Sequence, residues 1–144
     1  MAAQRALGVD REIAVVSVLT NSGQAYDSAG DFRRAIACLD EALALSRAVD
    51  DGYSTLIALT NLGGLFDYLG EYARARALSE EALALARRQE NTLAPSMALL
   101  NIGACAMSQG MTAAAIDAFR EALELIRPLD AGTRVGQDLQ PLPR

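Results

Sequence analysis

Three residue types are missing from this chain of 144 residues, and two of them often carry enzyme chemistry. It has no histidine, no lysine and no tryptophan, and all 13 basic residues are arginine. Without histidine, the commonest general acid–base group and the commonest metal ligand are absent. Without lysine, Schiff-base chemistry and phosphate-loop chemistry are excluded. We therefore expect no enzyme activity, no metal site and no cofactor.

Cysteine is also scarce, and long apolar runs are absent. Cys38 and Cys105 fall where a small apolar residue would suffice, so we predict buried, reduced thiols. No apolar stretch is long enough to cross a membrane. The first ten residues lack the apolar core of a secretory signal. We expect a cytoplasmic protein that does not bind membranes, and the exclusive use of arginine is typical of GC-rich bacterial genomes.

The charge balance argues against nucleic acid as a partner. The formal net charge is −5, and the arginines are scattered along the chain. Nucleic-acid binding needs basic residues clustered on one surface. We expect a neutral or basic protein partner instead.

The sequence is organised by a repeat of 40 residues. The segment 59–87 recurs in recognisable form when it is shifted by 40 residues in either direction. Self-similarity at a fixed period is the signature of a stacked repeat. The positions that are identical in all three copies are Leu19/Leu59/Leu99, Asn21/Asn61/Asn101, Gly23/Gly63/Gly103, Gly30/Gly70/Gly110, Ala35/Ala75/Ala115, Glu41/Glu81/Glu121, Ala42/Ala82/Ala122, Leu43/Leu83/Leu123, Leu45/Leu85/Leu125 and Arg47/Arg87/Arg127.

Each copy reads as two amphipathic helices, here called A and B, joined at a glycine. Apolar residues recur at helical spacing from about Arg11 onward, and Gly30, Gly70 and Gly110 supply the left-handed turn that ends each A helix. We predict an all-α fold, a right-handed α-solenoid of three stacked antiparallel hairpins. Its predicted parts are an N-terminal extension or remnant of a preceding helix at 1–10, repeats at 11–50, 51–90 and 91–128, and a flexible tail at 129–144.

Small residues predict where the helices approach closely. Gly23, Ala35 and Ala42, with their copies, allow the short end of the usual 8–10 Å spacing between helix axes. The last repeat has no successor in this pattern, so we expect its apolar face, with Ile116 and Phe119, to be partly bare.

These features resemble the tetratricopeptide repeat family. Its consensus W-x2-L-G-x2-Y…A-x3-F falls in the second copy on Leu59, Leu62, Gly63, Phe66, Ala75 and Ser79. The resemblance spans about 11–127. The period here is longer than the usual value of about 34 residues, leucine replaces the family tryptophan, and arginine replaces the family proline. These departures resemble the long-helix branch found in kinesin light chains, cell-polarity adaptors and peptide-sensing bacterial regulators.

The resemblance implies binding of an extended peptide in a concave groove lined by the A helices. In the long-helix branch, an asparagine just before the L-G pair often contacts the backbone of the ligand, and that position is Asn21, Asn61 and Asn101 here. An amide offers both a donor and an acceptor, which suits a peptide unit. The alternative, which the sequence leaves open, is that each asparagine bonds a neighbouring helix or turn.

Other residues share that face by helix geometry. Asp27 and Asp67 are read either as ligand contacts or, preferably, as simply solvated carboxylates. For Met97 and Met107 we favour a place in the core or between repeats. If the face is a groove, its lining residues change from polar and acidic in the first repeat to apolar in the third. Such a groove suits a ligand with one basic end and one apolar end. The candidate partner-binding residues are Asn21, Asn61, Asn101, Gln24, Asp27, Thr60, Asp67 and Tyr68.

The glutamates and arginines that recur on the B helices are interpreted as surface charges. The repeated glutamate and arginine, as in Glu41 and Arg47, lie six residues apart, which is not the spacing of an i,i+4 pair. Ion pairs between repeats are one reading, and a solvated outer surface is the one we favour.

The predicted function is a module for binding a protein or peptide segment. Three alternatives stay open. The first is that the chain is the sensor or regulatory portion of a larger bacterial signalling or transcription protein. The second is a homo-oligomeric scaffold that associates through uncapped ends. The third and least favoured is an enzyme or small-molecule binder that uses the groove.

Overall fold

We describe the protein from a computed structural model, which places residues 2–89 and 93–127. Six helices and no strand occur in these two ranges, and the prediction of an all-α stack is confirmed. The predicted flexible tail lies outside the described residues. The A helices are α1, α3 and α5, and the B helices are α2, α4 and α6. Their bounds are α1 Ala2–Ser28, α2 Phe32–Ala48, α3 Gly52–Tyr68, α4 Tyr72–Arg88, α5 Leu93–Ser108 and α6 Thr112–Ile126.

The first helix begins earlier than the start near Arg11 that the apolar spacing predicts. Residues 2–10 continue α1, and all of their side chains are exposed. Periodicity detects a buried stripe, so it cannot detect helical turns that bury nothing.

The turns inside the hairpins share one geometry. Gly30, Gly70 and Gly110 have φ angles of 80°, 81° and 74°. In the first turn, the backbone N–H of Asp31 donates to the carbonyl of Tyr26 at 2.9 Å. The equivalent bonds recur in the other two turns, which makes each a Schellman-type helix end. These glycines therefore fix the chain reversal of all three hairpins.

Within each hairpin, a glycine of the A helix meets the B helix. A Cβ atom added at Gly23 would lie 2.7 Å from Cγ of Leu39, and one at Gly63 would lie 3.2 Å from Oγ of Ser79. Ala35 and Ala42 of α2 are fully buried. The close approach expected from these small residues is thus present.

The hairpins stack so that each B helix packs on the next A helix. In addition, α1 contacts α3 and α3 contacts α5, whereas in the described ranges the backbones of α2 and α4, or of α4 and α6, do not come within 8 Å. The A helices therefore lie on the inner side of a curved stack. The face of the stack that α1, α3 and α5 present to solvent is called the A-helix face below. The core centres on α3, with Leu59, Leu62 and Phe66 buried.

Ion pairs bridge the outer side of the stack. Arg47 of α2 pairs with Glu81 of α4, and Arg87 of α4 pairs with Glu121 of α6 at 2.5 Å. All four side chains are about half exposed. The interpretation of these charges as a merely solvated surface is therefore wrong for these four residues, because each arginine reaches the following hairpin.

Candidate functional site

The three asparagines lie on the A helices but in different surroundings. Asn21 is exposed, whereas Asn61 and Asn101 are half-buried. The Nδ2 atom of Asn61 is buried and has no hydrogen-bond partner among the described residues. The three asparagines therefore do not form a uniform row of exposed amides.

A cleft of about 480 Å³ opens between α1 and α3. Its α1 wall includes Asn21 and Gln24, together with Ser17. Its α3 wall includes Tyr53 and Ile57. Two of the predicted partner-binding residues, Asn21 and Gln24, are thus brought together in one cleft that polar and apolar side chains from both helices line.

A second cleft, of about 390 Å³, lies near the other end of the same two helices. It is lined by Asp27, Phe32, Gly64 and Tyr68, among others. Tyr68 is 74% exposed, and its ring lies 5.5 Å from the ring of Phe32 at an angle of 51°. This cleft therefore contains two of the predicted partner-binding residues, the carboxylate of Asp27 and the exposed ring of Tyr68.

The remaining two candidates are engaged within the protein. The hydroxyl of Thr60 donates to the carbonyl of Ile57 at 2.9 Å. Oδ2 of Asp67 accepts a hydrogen bond from Oγ of Ser108 at 2.9 Å, and its Oδ1 is buried with no hydrogen-bond partner within residues 2–89 and 93–127. The interpretation of Asp67 as a simply solvated carboxylate is therefore wrong, because this residue links α3 to α5. Asp27, by contrast, is exposed, as that interpretation requires.

A polar cluster around Asp67 escaped the sequence analysis. The thiol of Cys105 is buried, and Asp67 and Ser79 lie close enough to it to influence its pKa. Burial, followed by the charge of Asp67, raises the pKa of Cys105 above its ordinary value. A thiol that stays protonated is a poor nucleophile, so this cluster favours structure over catalysis. Cys38, the other free cysteine, is only half-buried, contrary to the prediction of burial.

Large apolar side chains are exposed on α5. Met97 and Met107 are 64% and 61% exposed, so the prediction that they lie in the core or between repeats is wrong. Leu100 lies between them and is also exposed. Tyr53 on α3, which the sequence analysis overlooked, is 65% exposed. Tyr53 follows the predicted turn residues Asp50, Asp51 and Gly52 and lies in the first turn of α3. It is therefore not part of an apolar stripe at helical spacing, which is the pattern that identifies a helix face from sequence.

The two ends of the A-helix face thus differ in chemistry. The exposed candidates on α1 are polar or acidic, namely Asn21, Gln24 and Asp27. The exposed large side chains on α5 are methionine and leucine. Among the described residues, no helix is long and apolar enough to span a bilayer.

Comparison with known proteins identifies the repeat. Two family models described as tetratricopeptide repeat match residues 14–88 and 60–131. No curated protein matches the sequence significantly. The fold is similar to that of BtubC (BKLC) from P. vanneervenii, with a TM-score of 0.73 and 21% identity over 90% of this chain. This chain spans 50% of that protein. It is also similar to the N-terminal domain of stress-induced protein-1 (STI-1) from C. elegans, with a TM-score of 0.62 and 18% identity, over 85% of this chain and 94% of that domain.

Proposed function

Because the chain belongs to the tetratricopeptide repeat family, we propose that it is a protein-interaction module whose A-helix face binds an extended segment of a partner protein. The observation that carries this proposal is the cleft between α1 and α3, where Asn21 and Gln24 face Tyr53 and Ile57. Concave sites with a few convergent polar groups and apolar walls are the usual form of a binding site.

The amide groups are suited to the backbone of a partner. An asparagine side chain both donates and accepts, so it pairs with one peptide unit whatever the partner's side chain is. Asn21 is exposed in the cleft, and the Nδ2 donor of Asn61 has no hydrogen-bond partner in the described part of the chain. Because these two amides would pair with the backbone of the partner, the surrounding side chains would determine which partner sequence is bound.

The aromatic residues of α3 suggest the length of the bound segment. Tyr53 lies in the first turn of α3 and Tyr68 is its last residue, and each lines one of the two clefts. At 1.5 Å per residue they are about 22 Å apart along the helix. An extended chain covers about 3.3 Å per residue, so about seven residues of partner would span this distance.

The charge and polarity of the face suggest the chemistry of the partner. Asp27 lies in the second cleft, and the whole chain has a net charge of −5. Met97, Leu100 and Met107 are exposed on α5. We propose a partner segment that combines a basic residue, placed near Asp27, with apolar residues placed near α5.

The test is selection from a displayed library of random peptides against the full chain, followed by titration of the selected peptides. The variant Asn21→Ala with Gln24→Ala should weaken binding about tenfold or more, because hydrogen bonds at a binding site contribute about 0.5–1.5 kcal/mol each. Arg33→Ala, an exposed residue of α2, is the matched control and should leave binding unchanged. Unchanged binding by the double variant, with helical content intact, would place the site elsewhere.

Three further expectations belong to this proposal. A protein partner rather than nucleic acid is supported by the net charge, and by the engagement of Arg47 and Arg87 with glutamates. A cytoplasmic location is supported by Cys38 and Cys105, which are both free, as is usual in reducing compartments. A binding role rather than catalysis is supported by the lack of histidine and lysine.

A further inference from the structure

The face of α1 that points away from the stack is unlike its counterparts on α3 and α5. Val18 is 64% exposed, whereas the equivalent Ala58 and Ala98 are buried. Val15 is also exposed, and its equivalent Thr55 is buried, with its hydroxyl bonded to Oγ of Ser46 in α2 at 3.0 Å. These positions therefore face the B helix of a preceding hairpin, and α1 presents them to solvent.

The opposite end of the stack shows the complementary feature. Leu123 on α6 is 45% exposed, whereas its equivalent Leu43 on α2 is buried beneath the next hairpin. Ile116 is 48% exposed and Ile126 is half-buried. At the junction of the first two hairpins, Thr55 forms a hydrogen bond with Ser46. Ile126 occupies the position of Ser46 in the last hairpin, and Val15 occupies that of Thr55 in the first. The two end faces therefore offer two apolar side chains in place of this polar pair.

The outer ion pairs leave one charge of each sign at these two ends. Both pairs join an arginine to a glutamate 34 residues further along the chain. The same rule assigns Glu41 to a preceding hairpin and Arg127 to a following one. Both side chains are exposed, and neither has an ion-pair partner in the two described ranges.

We infer that the protein associates head to tail with a second copy of itself, with α6 of one molecule packed on α1 of the next. Arg127 of the first molecule pairs with Glu41 of the second, in the geometry that joins Arg47 to Glu81. Ile126 and Leu123 cover Val15 and Val18. The contact is heterologous, so it repeats without closing and produces chains that lengthen with concentration. This inference does not rest on peptide binding by the A-helix face.

The first test is the molar mass of the full chain over a range of concentrations, by light scattering and sedimentation. Open-ended growth from the monomer mass of 15.2 kDa to species larger than a dimer is expected. Raising the salt to about 1 M should reduce association, because exposed charges are screened. A monomer at every concentration, or a dimer that does not grow further, would overturn the inference.

Charge reversal tests the pairing itself. Glu41→Arg alone, or Arg127→Glu alone, places like charges at the contact. Each variant should associate about tenfold more weakly than the wild type, because it replaces the modest attraction of an exposed ion pair with repulsion. An equimolar mixture of the two single variants should regain growth as alternating chains, because each contact between the two different variants again joins opposite charges. Failure of the mixture to regain growth would refute the proposed register.

Two controls separate this contact from general effects. Arg88→Glu makes the same charge change on an exposed residue of α4 that has no ion-pair partner in the described part of the chain, and it should associate as the wild type does. Val18→Glu alters an exposed apolar residue, so it should abolish growth while the circular dichroism spectrum stays that of the wild type. Growth by the Val18 variant equal to that of the wild type would also overturn the inference.

Discussion

Arg47 of α2 and Glu81 of α4 form an ion pair across two helices whose backbones do not touch. The A helices meet directly on the inner side of the stack, whereas on the outer side the gap between B helices is bridged by long side chains. The two sides of the stack thus rely on different interactions, namely apolar burial within and exposed charge outside.

The outer pairs should couple weakly and in a salt-dependent manner. A double-mutant cycle with Arg47→Ala and Glu81→Ala should give a coupling free energy of about 0.2–1 kcal/mol, because both side chains are half exposed. Urea unfolding at low salt and at about 1 M salt measures it, and the coupling should shrink at high salt. The control cycle is Arg88 with Glu80, two exposed residues without ion-pair partners in the described part of the chain. Equal coupling in both cycles would contradict the assignment.

Two glycines of the A helices should respond to alanine with opposite signs. Gly23→Ala should lower the free energy of unfolding by about 1–3 kcal/mol, because the new methyl group would lie 2.7 Å from the buried Leu39. Gly64→Ala should raise it by about 0.5–1 kcal/mol, since nothing lies within 4 Å and glycine costs stability inside a helix. Urea midpoints of the two variants decide the matter, and shifts of the same sign would count against the described packing.

The stability of the protein should decline at alkaline pH because of Cys105. Burial, and then the charge of Asp67, raise the pKa of this thiol in the folded state. The folded protein therefore retains a proton that the unfolded chain releases above about pH 8.5, and stability falls as the pH rises through the folded pKa. Urea unfolding at about pH 7 and about pH 10 should show a smaller decline for Cys105→Ala than for the wild type. The matched control, Cys38→Ala, keeps Cys105 and should retain the wild-type decline.

The buried amide of Asn61 should cost stability in the free protein. Asn61→Leu should raise the free energy of unfolding by about 1 kcal/mol, because it removes a buried donor that has no hydrogen-bond partner among the residues the structure describes. The same change should weaken binding of a selected peptide. Asn21→Leu, at an exposed position, should change stability by no more than about 0.5 kcal/mol. A loss of stability in the Asn61 variant would instead identify this side chain as structural.

The fold could be predicted because its information is local and repeated. The apolar spacing, the turn glycines and the small residues each act within one hairpin, and three copies of the same pattern remove ambiguity. Gly30, for example, ends α1 at the turn that the pattern predicts. The exception is the start of α1, since its first turns bury no side chain and therefore show no apolar periodicity.

The site was less predictable because its chemistry depends on neighbours in another hairpin. Asp67 is defined by Ser108, and Arg47 by Glu81, and these partners lie 41 and 34 residues away. Spacing along one helix cannot show either contact. The prediction that Met97 and Met107 lie in the core or between repeats rests on their apolar character, but their exposure depends on which side of α5 faces solvent.

The fixed separation of 34 residues within each outer pair has a consequence for how such a chain changes length. A duplicated block of 40 residues, inserted between two hairpins, carries its own glutamate for the upstream arginine and its own arginine for the downstream glutamate. Gene duplication in whole units therefore preserves every outer contact without any compensating mutation. An insertion that is not a whole number of such units, placed between an arginine and its glutamate, changes their separation and breaks the pair.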